Sequence, residues 1–151
     1  MHDSVLQWVA EKAREFDQFA GQSVLEVGSL NVNGSVRPFF SSAAEYTGVD
    51  LFAGPGVDLL MNAHALAFAD ASFDVVVSTE MLEHDDEFWR SAAEMGRVLR
   101  RGGLLILTAR GNGFMPSSFP KLFTLAGCDV LEVREDWQPG HPGLFGVGRK
   151  L

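Results

Sequence analysis

Two runs, Asp74-Val-Val-Val-Ser78 and Gly103-Leu-Leu-Ile-Leu-Thr108, constrain this chain most. Each is almost continuously apolar, with no alternation that would leave one side polar, which is the pattern of a strand covered on both faces. Further short runs rich in Val, Leu and Ile lie at 23–28, 46–49, 57–60, 129–134 and 144–148, separated by turns or helical periodicity. Together they predict an α/β fold with an open, seven-stranded, mostly parallel sheet and helices on both faces.

Val5, Trp8, Val9, Ala13, Phe16 and Phe19 recur at helical spacing until Gly21, which predicts an amphipathic N-terminal helix within residues 1–20. Its aromatic side chains are expected to pack. Phe88, Met95 and Leu99 predict a helix over 86–100, capped by Asp85 or Asp86 and stopped by Gly102-Gly103. Val130-Leu-Glu-Val133 and Leu144-Phe-Gly-Val147 flank a Pro- and Gly-rich connection too short for a crossover helix, so a final antiparallel hairpin is expected there.

A length of 151 residues with 46% hydrophobic content suits one domain, 1–151. No apolar stretch reaches the ~20 residues that span a bilayer, and Met1-His2-Asp3 does not begin a basic-then-apolar leader. The expectation is a soluble, cytoplasmic protein without a membrane partner. The single Cys128 lies in an apolar run and is expected to be an inert buried thiol. A formal net charge of -8 repels a phosphate backbone, so nucleic acid is a disfavoured partner, while a homo-oligomer stays open.

The chemistry concentrates at the ends of the early strands. Gly28 closes the run Ser23-Val-Leu-Glu-Val-Gly28 and permits close backbone approach, and Gly34 relaxes the turn that follows. Asp50 ends Tyr46-Thr-Gly-Val-Asp50, 22 positions after Gly28. This is close to the ~20-residue offset at which a second-strand acid accepts from ribose hydroxyls. Glu26, inside the first strand, is a candidate for ordering loop amides or attracting an ammonium group. The loop from Glu26 to Gly34 is not G-x-G-x-x-G, which disfavours a dinucleotide such as NAD or FAD.

These pieces have a family likeness. The segments Val24-Leu-Glu-Val-Gly28, Tyr46-Thr-Gly-Val-Asp50, Asn62-Ala-His64, Ser72-Phe-Asp-Val-Val-Val-Ser78, Glu80-Met-Leu-Glu-His84 and Arg97-Val-Leu-Arg-Arg-Gly-Gly-Leu-Leu105 resemble, in order and spacing, a small class I S-adenosylmethionine-dependent methyltransferase of the type 11-like, small-molecule family. The resemblance covers residues of about 20 to 109. It implies a Rossmann-like sheet of order 3-2-1-4-5-7-6 with an antiparallel seventh strand, and S-adenosyl-L-methionine as cofactor. It places Gly28 against the methionine and ribose, Asp50 on the ribose diol, Leu51 beside the adenine, and Asn62 with Ala63 near the adenine amino group. Thr79 joins the cofactor-binding set. Asn62 stands where the family often has Asp, and Arg101 replaces the proline common before the paired glycines.

Methyl transfer from a sulfonium is an in-line displacement, which alignment in a water-poor pocket accelerates without a fixed triad. If the acceptor must lose a proton, His84 is the candidate base, oriented by Glu80 or Glu83. The alternative is that these carboxylates cap the next helix or bind cofactor amides. His64 is expected near the adenine or the sheet edge. The histidines at 2, 64, 84 and 141 lack zinc-site spacing, and no metal is expected. The small-molecule acceptor is expected among Ser29 to Asn33, Thr79 to Asp85, Arg110 to Ser118 and Asp136 to His141, with Trp137 and Phe114 as an apolar wall and Arg110 attracting an anionic acceptor. Residues 110–126 read as a shortened or incomplete acceptor-side segment.

Overall fold

The computed structural model describes residues 1–16, 21–110, 114–138 and 141–151, with backbone alone at Trp137, Gln138 and His141. The apolar runs become β1 (Ser23–Val27), β2 (Glu45–Asp50), β3 (Leu59–Leu60), β4 (Phe73–Thr79), β5 (Leu99–Arg110), β6 (Cys128–Gln138) and β7 (His141–Lys150). They form one sheet of order β3-β2-β1-β4-β5-β7-β6. The first five strands are parallel, and β7 runs antiparallel to both β5 and β6. This is the Rossmann-like methyltransferase topology that the sequence predicts.

The two-residue period of a strand sorts the core onto two faces. Leu25, Val27, Val76, Leu105 and Leu107 pack beneath α2 (Phe88–Val98) and α3 (Pro120–Leu125). Val24, Val75, Val77, Leu104 and Ile106 point the other way, toward α1 (Asp3–Glu15) and a short 3-10 turn at Arg37–Phe40. Burial on both faces explains why the central strands lack polar alternation. On the α1 side, the Trp8 ring lies 5.3 Å from Phe145, and the buried Lys12 ammonium donates to Glu15 at 2.7 Å and to Glu132 of β6. Residues 17–20, expected to continue that helix, lie outside the described residues.

Three boundaries differ from expectation, each for a local reason. The helix expected over 86–100 spans Phe88–Val98, because Leu99 is already extended and paired with Phe73. Gly102, at φ 76°, therefore serves an irregularity within β5 rather than stopping the helix. Asp85 accepts from the Glu87 N–H at 2.9 Å and from the Ser91 hydroxyl, a turn before the helix, so it is not the N-cap. The third difference is the brevity of β3. Asp58, just before it, turns its carboxylate to accept the Gly48 N–H at 2.7 Å and to pair with Arg37 at 3.0 Å.

Tight packing ties the far side together. A Cβ on Gly96 would lie 2.1 Å from the Ala126 carbonyl oxygen, so only glycine lets α2 meet the end of α3 there. Cys128 is buried, and that burial pushes its thiol up to about 11, consistent with an inert group.

Candidate functional site

Parallel strands deliver their carboxyl ends to one edge of a sheet, where loops can surround a ligand. At the ends of β1, β2 and β4 lie two adjoining cavities, of about 510 and 450 Å³. Gly28, Asp50, Met81 and His84 line both.

Gly28 leaves β1 at φ 82°, and its N–H donates to the Val49 carbonyl at 2.9 Å. A Cβ there would sit 2.7 Å from Cγ of Met81. The left-handed backbone and the contact with Met81 both require glycine. Asp50, at the end of β2, is held by two backbone donors, the N–H groups of Leu30 and Phe52, each at 3.1 Å. Each carboxylate oxygen has capacity for a further hydrogen bond.

The first cavity is otherwise flanked by the exposed Leu51 and Phe52 and by Met61, Asn62 and Ala63. The amide oxygen of Asn62 accepts the His64 N–H at 2.8 Å, closing a local turn that orders this wall. His64 places Nε2 2.7 Å from Asp85, tying the wall after β3 to the loop after β4.

Glu26 does not reach this edge. Between Leu25 and Val27 it takes the opposite face of β1, where it is 2% exposed and accepts the Tyr46 hydroxyl at 2.7 Å. Burial pushes its carboxyl up to about 7, against the lowering effect of the Tyr46 hydrogen bond and Arg37. The hydrogen bond that Glu26 makes in this structure is with Tyr46, not with the loop amides.

The second cavity is lined by Leu30, Val32 and Asn33, by Thr79, Glu80 and Glu83, by Arg110, and by Met1 and His2. Thr79 lines this cavity rather than the first, and its hydroxyl is buried without a partner among the described residues. His84 is exposed on the rim of both. Neither glutamate orients it: Glu80 pairs with the Arg110 guanidinium at 2.5 Å, and Glu83 accepts the Arg110 backbone N–H at 3.1 Å. Arg110, expected to attract an anion, is thereby engaged by Glu80.

Phe114 is also relocated. It is buried in the core, 4.9 Å from Phe88 and 6.4 Å from Phe119, and borders a separate cavity of about 140 Å³. Gly111 to Gly113 and the side chains of Trp137 to His141 lie outside the described residues. Met81 falls in the stretch Thr79 to Asp85 expected to line the site, whereas sequence reasoning missed Phe52, Met61, Met1 and His2 as lining residues; for Phe52 the available signal was a second apolar residue following the strand-end Asp50. Among the described residues, no group of three or more His, Cys, Asp or Glu side chains is arranged to hold a metal, and no helix is long and apolar enough to cross a membrane.

Comparison with known proteins follows this geometry. Residues 25–107 match the family model described as a methyltransferase domain. The chain is 36% identical over 104 residues to an uncharacterized methyltransferase of Mycobacterium sp. (strain JLS), a match covering 58% of this chain and 38% of that protein. It spans about two fifths of the length of the curated relatives it matches. Among solved structures, it shares its fold with the Burkholderia thailandensis 1,6-didemethyltoxoflavin-N1-methyltransferase bound to 1,6-didemethyltoxoflavin and S-adenosylhomocysteine. There the TM-score is 0.78 at 16% identity, covering 98% of this chain and 79% of that one. The [4+2]-cyclase SpnF matches with TM-score 0.78 at 17% identity, covering 98% of this chain and 81% of that one.

Proposed function

We propose that this chain, which belongs to the methyltransferase domain family, transfers the methyl group of S-adenosylmethionine to a small-molecule acceptor. The carrying observation is the junction of two cavities at the carboxyl ends of parallel strands, with Gly28, Asp50, Met81 and His84 common to both. Their sizes fall in the ~300–1,000 Å³ range of small-molecule sites, which favours two small reactants over a polymer.

The residues of the first cavity fit a nucleoside. Leu51, Phe52 and Ala63 offer apolar walls to a base, Asn62 offers an amide, and the Asp50 carboxylate offers acceptors to a ribose diol. Gly28 lets backbone approach the junction. When bound, the cofactor supplies an electrophilic methyl carbon on a positively charged sulfur. The chain's own contribution is to align the acceptor beyond that junction and to keep water from it, as an in-line displacement requires. His84, on the shared rim, is positioned to carry a proton from the acceptor toward solvent.

Calorimetry with S-adenosylmethionine and S-adenosylhomocysteine tests the first half of this reading. Mass-resolved detection of a labelled methyl group after incubation with a metabolite mixture tests the second. The cyclase among the structural matches supports an alternative, an adenosyl-binding domain that does not transfer methyl groups. Cofactor binding with no labelled product would select that alternative; no cofactor binding would exclude both.

A further inference from the structure

Two residues lining the second cavity each carry a side-chain oxygen buried just behind its wall without a hydrogen-bond partner among the described residues: the Thr79 hydroxyl oxygen and Oε2 of Glu83. Thr79 is 5% exposed at the end of β4, and Glu83 follows four positions later in the next loop. Buried polar atoms are nearly always satisfied, because leaving one unpaired costs free energy. Two of them behind one cavity wall mark a surface suited to a guest that brings polar hydrogen.

The rest of the glutamate is already committed. Its Oε1 accepts the Arg110 backbone N–H at 3.1 Å, which holds the carboxyl group in place. The Arg110 guanidinium is turned to Glu80, so the charge of Glu83 is not the one it answers directly. Burial raises Glu83 above the ordinary carboxylate range, and the nearby Glu80 adds to the rise, while backbone donors and His84 oppose it. A carboxylate of raised basicity is a better proton acceptor at neutral pH.

We propose that the second cavity takes an acceptor whose nucleophile is a protic heteroatom, an O–H or N–H group, hydrogen-bonded both to Oε2 of Glu83 and to the Thr79 hydroxyl. This rests on the methyl-transfer reading and narrows its acceptor class. As the heteroatom's lone pair forms a bond to the methyl carbon, the carbon–sulfur bond breaks with its electrons going to sulfur. The heteroatom's proton passes to Glu83, and His84 at the rim relays it to solvent. A carbon or thioether nucleophile would leave both buried atoms unpaired and is discriminated against on that ground.

Ligand-observed NMR on the whole chain with S-adenosylhomocysteine tests this, using four neutral fragments: phenol and aniline, which donate hydrogen bonds, and anisole and toluene, which do not. Phenol or aniline is expected to bind at least roughly tenfold more tightly than the donor-free pair. Preference for phenol assigns an O–H acceptor, and preference for aniline an N–H acceptor. Glu83→Gln and Thr79→Val should each erode the preference by about fivefold, and in Glu83→Gln the S-adenosylhomocysteine affinity stays within about twofold of the parent. Thr79→Val removes only a hydroxyl and carries the test if Glu83→Gln does not fold. Equal binding of all four fragments, or of none, overturns the proposal. So does a loss of S-adenosylhomocysteine affinity in Glu83→Gln with the fragment preference intact, because the unpaired oxygen would then serve the cofactor's ammonium. If the parent chain does not bind S-adenosylhomocysteine at all, the methyl-transfer reading falls too, which separates the two failures.

Discussion

The first cavity takes its lining from Val27 to His64 and from the loop Met81 to Glu87, whereas the second adds Met1, His2 and Arg110 from distant parts of the chain. The residues of the first all lie within the family-matched span 25–107; these three of the second do not. Construction differs as well. The first cavity combines apolar walls with a carboxylate held by two backbone N–H groups, and the second is lined by Thr79 and Glu83, each with a buried oxygen that has no partner among the described residues. The first cavity can be assembled locally, since consecutive strand ends of a parallel sheet place their loops side by side. The second draws on remote segments, and there members of one family are free to differ.

The sharpest way to break this contrast is Gly28→Val. A side chain at a left-handed position, pressed against Met81, should lower S-adenosylmethionine affinity by a factor on the order of 100 or more in calorimetry. Near-parent affinity would remove the shared junction from the cofactor's path.

Glu26→Gln tests whether the strand's acid belongs to the core rather than the site. An acid whose folded pKa exceeds its unfolded value supports the fold most at low pH and loses that support as pH rises, here from 4.5 to about 7. Removing the buried charge should therefore leave stability unchanged near pH ~4 and raise it relative to the parent by up to about 3 kcal/mol near pH ~8, at about 1.4 kcal/mol per unit. Urea unfolding at the two pH values checks this, and a difference independent of pH would refute the linkage. Cofactor affinity should be little changed.

Asp50→Asn keeps the size of the side chain but removes its charge and opposes an amide N–H to one of the two backbone donors. A loss of about 10- to 30-fold in S-adenosylmethionine affinity is expected by calorimetry. The smallest change is expected from His64→Gln, which breaks the tie to Asp85 at the outer wall. A partly exposed pair of this kind is worth little, so an affinity change within about threefold is expected. A larger loss would show that the outer wall, and not only the strand ends, governs donor binding.

Much of the first cavity's lining was legible because it depends on spacing along the chain. A strand-end glycine, an acid at the end of the next strand and the Asn62-Ala63-His64 turn fall together once the strands are parallel and adjacent. The surroundings of Glu26 were not legible, because adjacency in sequence to Gly28 says nothing about which face of the pleat a side chain takes. Phe114 was misread for a related reason: the loop that carries it lies near the ligand edge, but the Phe88 and Phe119 rings offer it a dry contact, and the core claims it.

Patterns of hydrophobicity in the amino-acid sequence determined that the chain forms a doubly covered, mostly parallel sheet, because burial and chain connectivity act along the strand direction; the strand order was an implication of the family resemblance. Only the tertiary structure decided that Glu26 is a core acid, that Arg110 belongs to Glu80, and that Thr79 and Glu83 line one cavity, each with a buried oxygen that has no partner among the described residues. Those outcomes depend on which side chains, far apart in the chain, reach each other first with a compatible hydrogen bond. Local periodicity carries no information about such competition.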